Sequence, residues 1–261
     1  MKFAACVEYD GAAYCGWQRL GHAASVQQCI EAALSKVANE SIQVVCAGRT
    51  DSGVHATGQV IHFETNAVRS TRAWLLGANV NLPYDISLRW VISVADDFHA
   101  RFSARSRRYR YVILNRSAKP ALLYKKVAWY HHSLDVDKMH NAAQVLQGEH
   151  DFSSFRASGC QASHARREIY TIRVSRAGAF IYIDVSANAF LHHMVRNIVG
   201  SLLKVGAGEQ ETSWLAELLE KRDRTYAGTT APANGLYFVY VEYPARFGLP
   251  GSYLLPEFHL D

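Results

Sequence analysis

The chain has no apolar stretch approaching the ~20 residues that a membrane helix needs, so a membrane-spanning class is not expected. Its opening apolar run, Met1 to Val7, is too short for a secretion signal and soon meets Glu8 and Asp10. No two of its five cysteines, Cys6, Cys15, Cys29, Cys46 and Cys160, stand in CxxC spacing. An odd count with no export signal predicts reduced thiols and a cytoplasmic protein. The HExxH spacing of zinc hydrolases is missing among the twelve histidines, which argues against a metal enzyme. No low-complexity segment interrupts the chain. There is no strong excess of one charge either: the net charge is +5, which permits a nucleic-acid partner without requiring one.

What is present reads as a folded α+β protein. Apolar residues make up 49% and charged residues 20%, ordinary for a soluble globular chain. Phe3 to Tyr9 predicts a strand closed by the turn pair Asp10-Gly11. Ser25-Val26-Gln27-Gln28 has the form of a capping box, and Val26, Ile30, Ala33, Leu34 and Val37 follow at helical spacing. Gln43 to Ala47 and Val60 to Thr65 are strand-like. Thr71 to Val80 predicts a helix stopped at Asn81-Leu82-Pro83. Ile86, Leu88, Trp90, Ile92 and Val94 alternate as a half-buried strand does.

The order β-α-β-β-α-β then recurs with longer connections. Tyr109 to Leu114 and Val127 to Tyr130 predict strands, and Val136 to Leu146 a helix stopped by Gly148. Strands follow at Ile169 to Val174 and Phe180 to Val185, helices at Ala189 to Leu203 and Trp214 to Leu219, and a last strand at Tyr237 to Tyr243. Two split β-α-β units point to two ferredoxin-like, RRM-like halves with antiparallel sheets and helices on one face, leaving the other face for a ligand. The boundary falls near Ser103 to Ser106, giving domains 1–104 and 105–261.

The densest chemical signal is Gly48-Arg49-Thr50-Asp51-Ser52-Gly53-Val54-His55-Ala56, between two strand-like runs. Glycines at its ends let the backbone bend sharply and a substrate approach closely. Read locally, Asp51 is first of all an Asx turn. A second signal is the run from Arg101 to Arg116, with arginines at 101, 105, 107, 108, 110 and 116 and Phe102, Tyr109 and Tyr111 among them. Arginines neutralise phosphate and aromatic rings accept stacked bases, whereas a charged interdomain linker is the plainer alternative.

The loop and its continuation, Thr57-Gly58-Gln59-Val60, resemble the active-site loop of the TruA family of tRNA pseudouridine synthases. The likeness extends to Glu8-Tyr9-Asp10-Gly11 with Gly16-Trp17-Gln18-Arg19, to Asp97 through Ala104, to His192 through Gly200, and to Gly235-Leu236-Tyr237. These blocks keep family order across nearly the whole chain. The resemblance implies a cofactor-free, metal-free isomerase acting on uridines 38, 39 and 40 of the tRNA anticodon stem-loop, and a homodimer. It implies Asp51 as the catalytic carboxylate, Arg196 as its ionic partner, Tyr109 over the target base, and Leu236 against the uracil. Arg49, Arg107, Arg108 and Arg110 are then the cations available to RNA. Taken without the resemblance, Arg196 reads as a helix residue, and Tyr109, Tyr111 and Leu236 as core. The competing function is a catalytically silent RNA binder with two RRM-like halves, but the RNP1 segment such a protein carries is not found.

Overall fold

The structure, a computed structural model, describes residues 1–21, 23–251 and 253–258. It is a mixed α+β protein whose chain separates into two compact units, Met1–Ser106 with Tyr237–Leu255, and Arg107–Leu236 with Pro256–Asp261. The residues after 105 therefore do not stay together. The last strand returns to the first unit, a long-range pairing that no local pattern announces.

The first unit follows the expected order: β1 (Lys2–Tyr9), α1 (Val26–Ala38), β2 (Val45–Cys46), β3 (His55–Glu64), α2 (Thr71–Asn81) and β4 (Ile86–Ser93), joined by most of β10 (Leu236–Glu242). β1 is antiparallel to β3, pairing Phe3 with Phe63, and to β4, pairing Ala5 with Val91. β2 pairs antiparallel with β3, while β10 runs parallel to β3 with Tyr237 beside His55. The cross-strand pairing of Phe3 on β1 with Phe63 on β3 puts both rings on one face, where Trp74 of α2 closes on them at 5.7 and 5.2 Å. Burial of each such side chain contributes about 1.5–3 kcal/mol. α1 starts as the capping pattern requires, with Ser25 Oγ accepting the Gln28 N–H at 3.4 Å. It packs tightly on α2 because a Cβ at Gly77 would sit 2.9 Å from Val37 Cγ2.

The opposite face of this sheet is not left open. Cys6, Val60, Trp90, Val239 and Val241 are roofed by Tyr243, Pro244, Ala245, Leu249, Pro250 and Tyr253, around a small cavity. Thr57 Oγ1 donates to Leu254 O at 2.6 Å and helps hold that roof. Burial pushes the Cys6 thiol up to about 12, which makes it inert, and all five cysteines are unbridged.

The second unit contains β5 (Ser106–Asn115, its first residue in the first unit), β6 (Ala128–Tyr130), α3 (Val136–Ala143), β7 (Gly148–Asp151), β8 (Arg166–Ala177), β9 (Phe180–Ala187), α4 (Met194–Gly206) and α5 (Trp214–Lys221). Its strands lie in the order β5-β9-β8-β7, all antiparallel, with β6 parallel to β5. α3 packs on α4, where a Cβ at Gly206 would meet Met139 Sδ at 2.6 Å. Two expectations need correction. β7 was not foreseen, because Gly-Glu-His-Asp carries no apolar alternation. α4 begins at Met194 rather than Ala189, so His192 and His193 precede the helix, and His193 caps it in a left-handed conformation with φ 59°. Among the described residues, no helix is long and apolar enough to cross a membrane.

One buried histidine gives the first unit a pH dependence. His62 on β3 is 6% exposed, and its Nδ1 accepts the Ala100 N–H at 3.1 Å. Burial, with the nearby His99 and Lys2 charges, lowers it to about 4, against a weaker opposing pull from Glu64. An unfolded His titrates near ~6.5. Between those values the unfolded chain binds a proton that the folded chain refuses, so stability falls as pH falls through the window. Urea midpoints should decline from about pH 7 to about pH 4.5, and His62→Gln should flatten the decline. A slope unchanged by His62→Gln would contradict this assignment.

Candidate active site

In the first unit, the loop that carries Asp51 runs from Ala47 to Val54 and joins β2 to β3. It is held by chain that lies against it, not by its own helix or strand. Trp17 N donates to Thr50 O at 3.0 Å, Ser52 Oγ donates to Tyr14 O at 3.2 Å, and Val54 N turns back to Asp51 O at 3.2 Å. The approach of residues 11–17 is so close that only glycine fits at two places. A Cβ at Gly11 would lie 1.9 Å from Val54 O, and one at Gly16, whose φ is +88°, would lie 2.8 Å from Thr50 O. Gly53, at φ +78°, makes the turn that returns the loop to the sheet. Asp51 is half-buried at the bend, and Arg49 is exposed beside it. His55 begins β3 rather than ending the loop. Its Nδ1 is 2.9 Å from Asp10 Oδ1, and its ring stacks on Tyr237 with centroids 4.7 Å apart.

In the second unit, Arg196 lies in the first turn of α4 and is half-buried. Its Nε donates to Ala231 O at 2.8 Å, and Ala231 N donates back to Arg196 O at 3.1 Å. Next to it, fully buried Asn197 donates to Phe155 O at 2.8 Å and accepts from Arg224 at 3.0 Å and Thr230 Oγ1 at 2.7 Å. Gly200 brings the 229–231 segment onto the helix, since a Cβ there would lie 1.8 Å from Thr229 O. Arg196 is thus fixed by backbone on a tightly packed helix and does not wave from a surface.

Tyr109 and Tyr111 share a face of β5, as a period of two requires, but their surroundings differ. Tyr109 is 8% exposed and meets Phe190 edge-on at 5.0 Å. Tyr111 is fully buried and donates to Pro232 O at 2.8 Å, which makes it core. Burial raises its phenol, against the lowering pull of the Arg196 charge. Leu236 is buried at the start of β10. Arg107 and Arg108 are half-buried, and Arg107 donates to Asn188 O at 2.8 Å.

Arg110, expected to contact RNA, is engaged by carboxylates within the second unit. Its side chain is 8% exposed, bidentate on Asp184 with both bonds at 2.8 Å, and stacked on Tyr182 at 4.7 Å. Burial alone pulls its pKa down, but the Asp184 and Glu257 carboxylates more than offset this, so the guanidinium is held above its ordinary value. The pair joins the buried guanidinium of Arg110 to a half-buried carboxylate. Its partner lies 74 residues away in sequence, so the strand pattern alone could not reveal the pairing.

Chemically, the first unit offers a carboxylate on a braced bend, and the second offers an anchored guanidinium, a tyrosine and an apolar side chain. Of the polar residues that brace these groups, Thr50, His55, Gln59 and Asn197 lie in the motif blocks but were given no role there, and Arg224 and Thr230 were not picked out from sequence. The only cue would have been a polar residue at an apolar strand or helix position, as with Gln59 between Gly58 and Val60.

A family model described as tRNA pseudouridine synthase matches residues 5–103 and again 142–244. A tRNA pseudouridine synthase A from Shewanella amazonensis is 58% identical over 261 residues, the whole of both chains. Another from Salmonella paratyphi B is 58% identical over 260 residues, spanning all of this chain and 96% of the relative. Among solved structures, a Cbf5-Nop10-Gar1 complex aligns with a TM-score of 0.37 and 12% identity over 77% of this chain and 45% of that one, too remote to carry an argument.

The Arg110 finding is open to a direct check. Removing one partner of a buried ion pair strands the other charge at a cost of about 3–5 kcal/mol. Asp184→Ala should therefore lower the unfolding free energy by about that amount in urea titration. A loss below about 1 kcal/mol, the usual worth of a surface pair, would return Arg110 to the cations offered to RNA.

Proposed function

Because the chain belongs to the tRNA pseudouridine synthase family, we propose that it isomerises uridine to pseudouridine at positions 38, 39 and 40 of the tRNA anticodon stem-loop, with Asp51 as the nucleophile. The observation that carries the reading is the braced bend at Asp51. A carboxylate held half-buried on a loop clamped by glycine-tight contacts is pre-organised for attack, whereas a simple Asx turn needs no such clamp.

The reaction breaks the N1–C1′ glycosidic bond, turns the uracil, and joins C5 to C1′. The C5 hydrogen leaves as a proton and N1 gains one, so atoms and charge balance with no electron or phosphoryl transfer. The chemistry therefore needs no redox cofactor or nucleotide. Asp51 adds to the nucleotide as its ionised carboxylate, with C1′ or C6 as the electrophile. In this reading Arg196 is the ionic partner that Asp51 uses in the reaction, the role the family likeness gives it. Tyr109 covers the extruded base and serves proton transfer, and Leu236 packs on the uracil.

Positions 39 and 40 belong to the stem, so reaching them costs a few kcal/mol of unpairing and unstacking. Phosphate contacts must offset that cost, and Arg49, Arg101, Arg105, Arg107 and Arg108 supply them in this proposal. Recognition then follows the shape of the stem-loop more than the bases beside the target. The working form is taken to be a cytoplasmic homodimer. A catalytically silent binder would have no use for the brace around Asp51.

Asp51→Asn should lower the single-turnover rate on an anticodon stem-loop more than about a thousandfold while RNA affinity stays within about threefold. Turnover near the parent rate would refute the assignment. Arg107→Ala combined with Arg108→Ala should weaken stem-loop binding and reduce the slope of log affinity against log salt by up to about 2. An unchanged slope would remove both residues from the RNA interface.

A further inference from the structure

We propose that Gln59 and Tyr9 are positioning residues that fix the reactive geometry of Asp51, a role resting on the reading of Asp51 as nucleophile. Gln59 is fully buried in β3, between residues that pack in the core. Its amide is spent on one residue of the loop: Nε2 donates to Gly48 O at 2.6 Å, and Gly48 N donates to Oε1 at 3.4 Å. That two-point bridge is the bonding a neighbouring strand would give, supplied by a side chain where the loop has left the sheet. Tyr9 ends β1, is 3% exposed, and its hydroxyl bonds Thr50 Oγ1 at 2.7 Å. Tyr9 and Gln59 thus grip the same loop at two places, Thr50 and Gly48. Thr50 is also held at its carbonyl by Trp17 N at 3.0 Å.

The residue before Asp51 is therefore pinned at both its side chain and its backbone, and the loop's entry at Gly48 is pinned twice. Burial raises the Tyr9 phenol well above its ordinary value, against the pull of its bond to Thr50, so it stays a neutral hydroxyl at working pH. Tyr9 thus serves as a fixed hydrogen-bonding post and not as a base. A core in need only of volume would be met by Met at 59 and Phe at 9. What those residues cannot do is hold Gly48 and Thr50 in register. A shift of about 1 Å in a reacting group costs on the order of a hundredfold in rate.

The test compares Tyr9→Phe, Gln59→Met and Gln59→Glu with the parent enzyme and Asp51→Asn, on one anticodon stem-loop, by single-turnover rate, stem-loop Kd and thermal midpoint. Tyr9→Phe and Gln59→Met are expected to lose about 10- to 100-fold in rate with Kd within about twofold. Gln59→Glu keeps the acceptor for Gly48 N but lacks the donor for Gly48 O until it is protonated. Its deficit should therefore shrink as pH falls, while that of Gln59→Met stays constant relative to the parent. A folded Tyr9→Phe that reacts within twofold of the parent, or losses in rate matched by equal losses in affinity, would overturn the proposal. If Gln59→Met does not fold, Tyr9→Phe decides, since it keeps the ring. An inactive Asp51→Asn beside fully active brace variants removes only the positioning role. An active Asp51→Asn removes the nucleophile reading itself.

Discussion

Backbone pressed on backbone is the constraint from which the first unit's site follows. Gly11 lies against Val54 and Gly16 against Thr50, at separations that leave no room for a Cβ. These contacts fix the path of residues 11–17 over the Asp51 loop, and Trp17 N then bonds Thr50 O. The sheet below serves this arrangement. β1 and β3 pair in a register that delivers Tyr9 and Gln59 to the underside of the loop, and the Phe3–Phe63–Trp74 cluster holds that register from the helix side. The energetics are ordinary core burial, and what is unusual is where the small residues are placed.

The second unit uses the same device on a helix. Gly200 and Gly228 allow the 228–231 segment to lie on α4, and the carbonyl of Ala231 then orients Arg196 through its Nε. Asn197 answers buried polar groups from three directions, leaving none of that junction to chance. That bond fixes the plane of the guanidinium.

The element order was legible because strand and helix periods are local properties. Ser25 caps α1, Ile86 to Ser93 alternates, and Thr71 to Asn81 ends before Pro83. Features set by distant partners were not legible. β7 is four polar residues that become a strand only against β8, and β10 joins the first unit through its pairing with β3. Arg110 stood out because its neighbours are arginines, while its pairing with Asp184 opposite it on the adjacent strand β9 could not be read from the sequence. Asp51 and Arg196 were singled out by family likeness; local physics favoured a plain Asx turn for the former. The bracing role of Gln59 and Thr50 escaped notice because a buried polar side chain declares itself only when its partner is in view.

The central claim, that this chain converts uridine to pseudouridine through Asp51, is tested most directly by hydrogen release from C5. Joining C5 to C1′ expels the C5 hydrogen to solvent, so an anticodon stem-loop transcript labelled with tritium at C5 of uridine reports each turnover as tritiated water. The account predicts release by the purified protein, equal to the number of target uridines at positions 38 to 40, and none from Asp51→Asn at equal RNA occupancy. Binding of the labelled stem-loop without release, or release by Asp51→Asn at the parent rate, would contradict it.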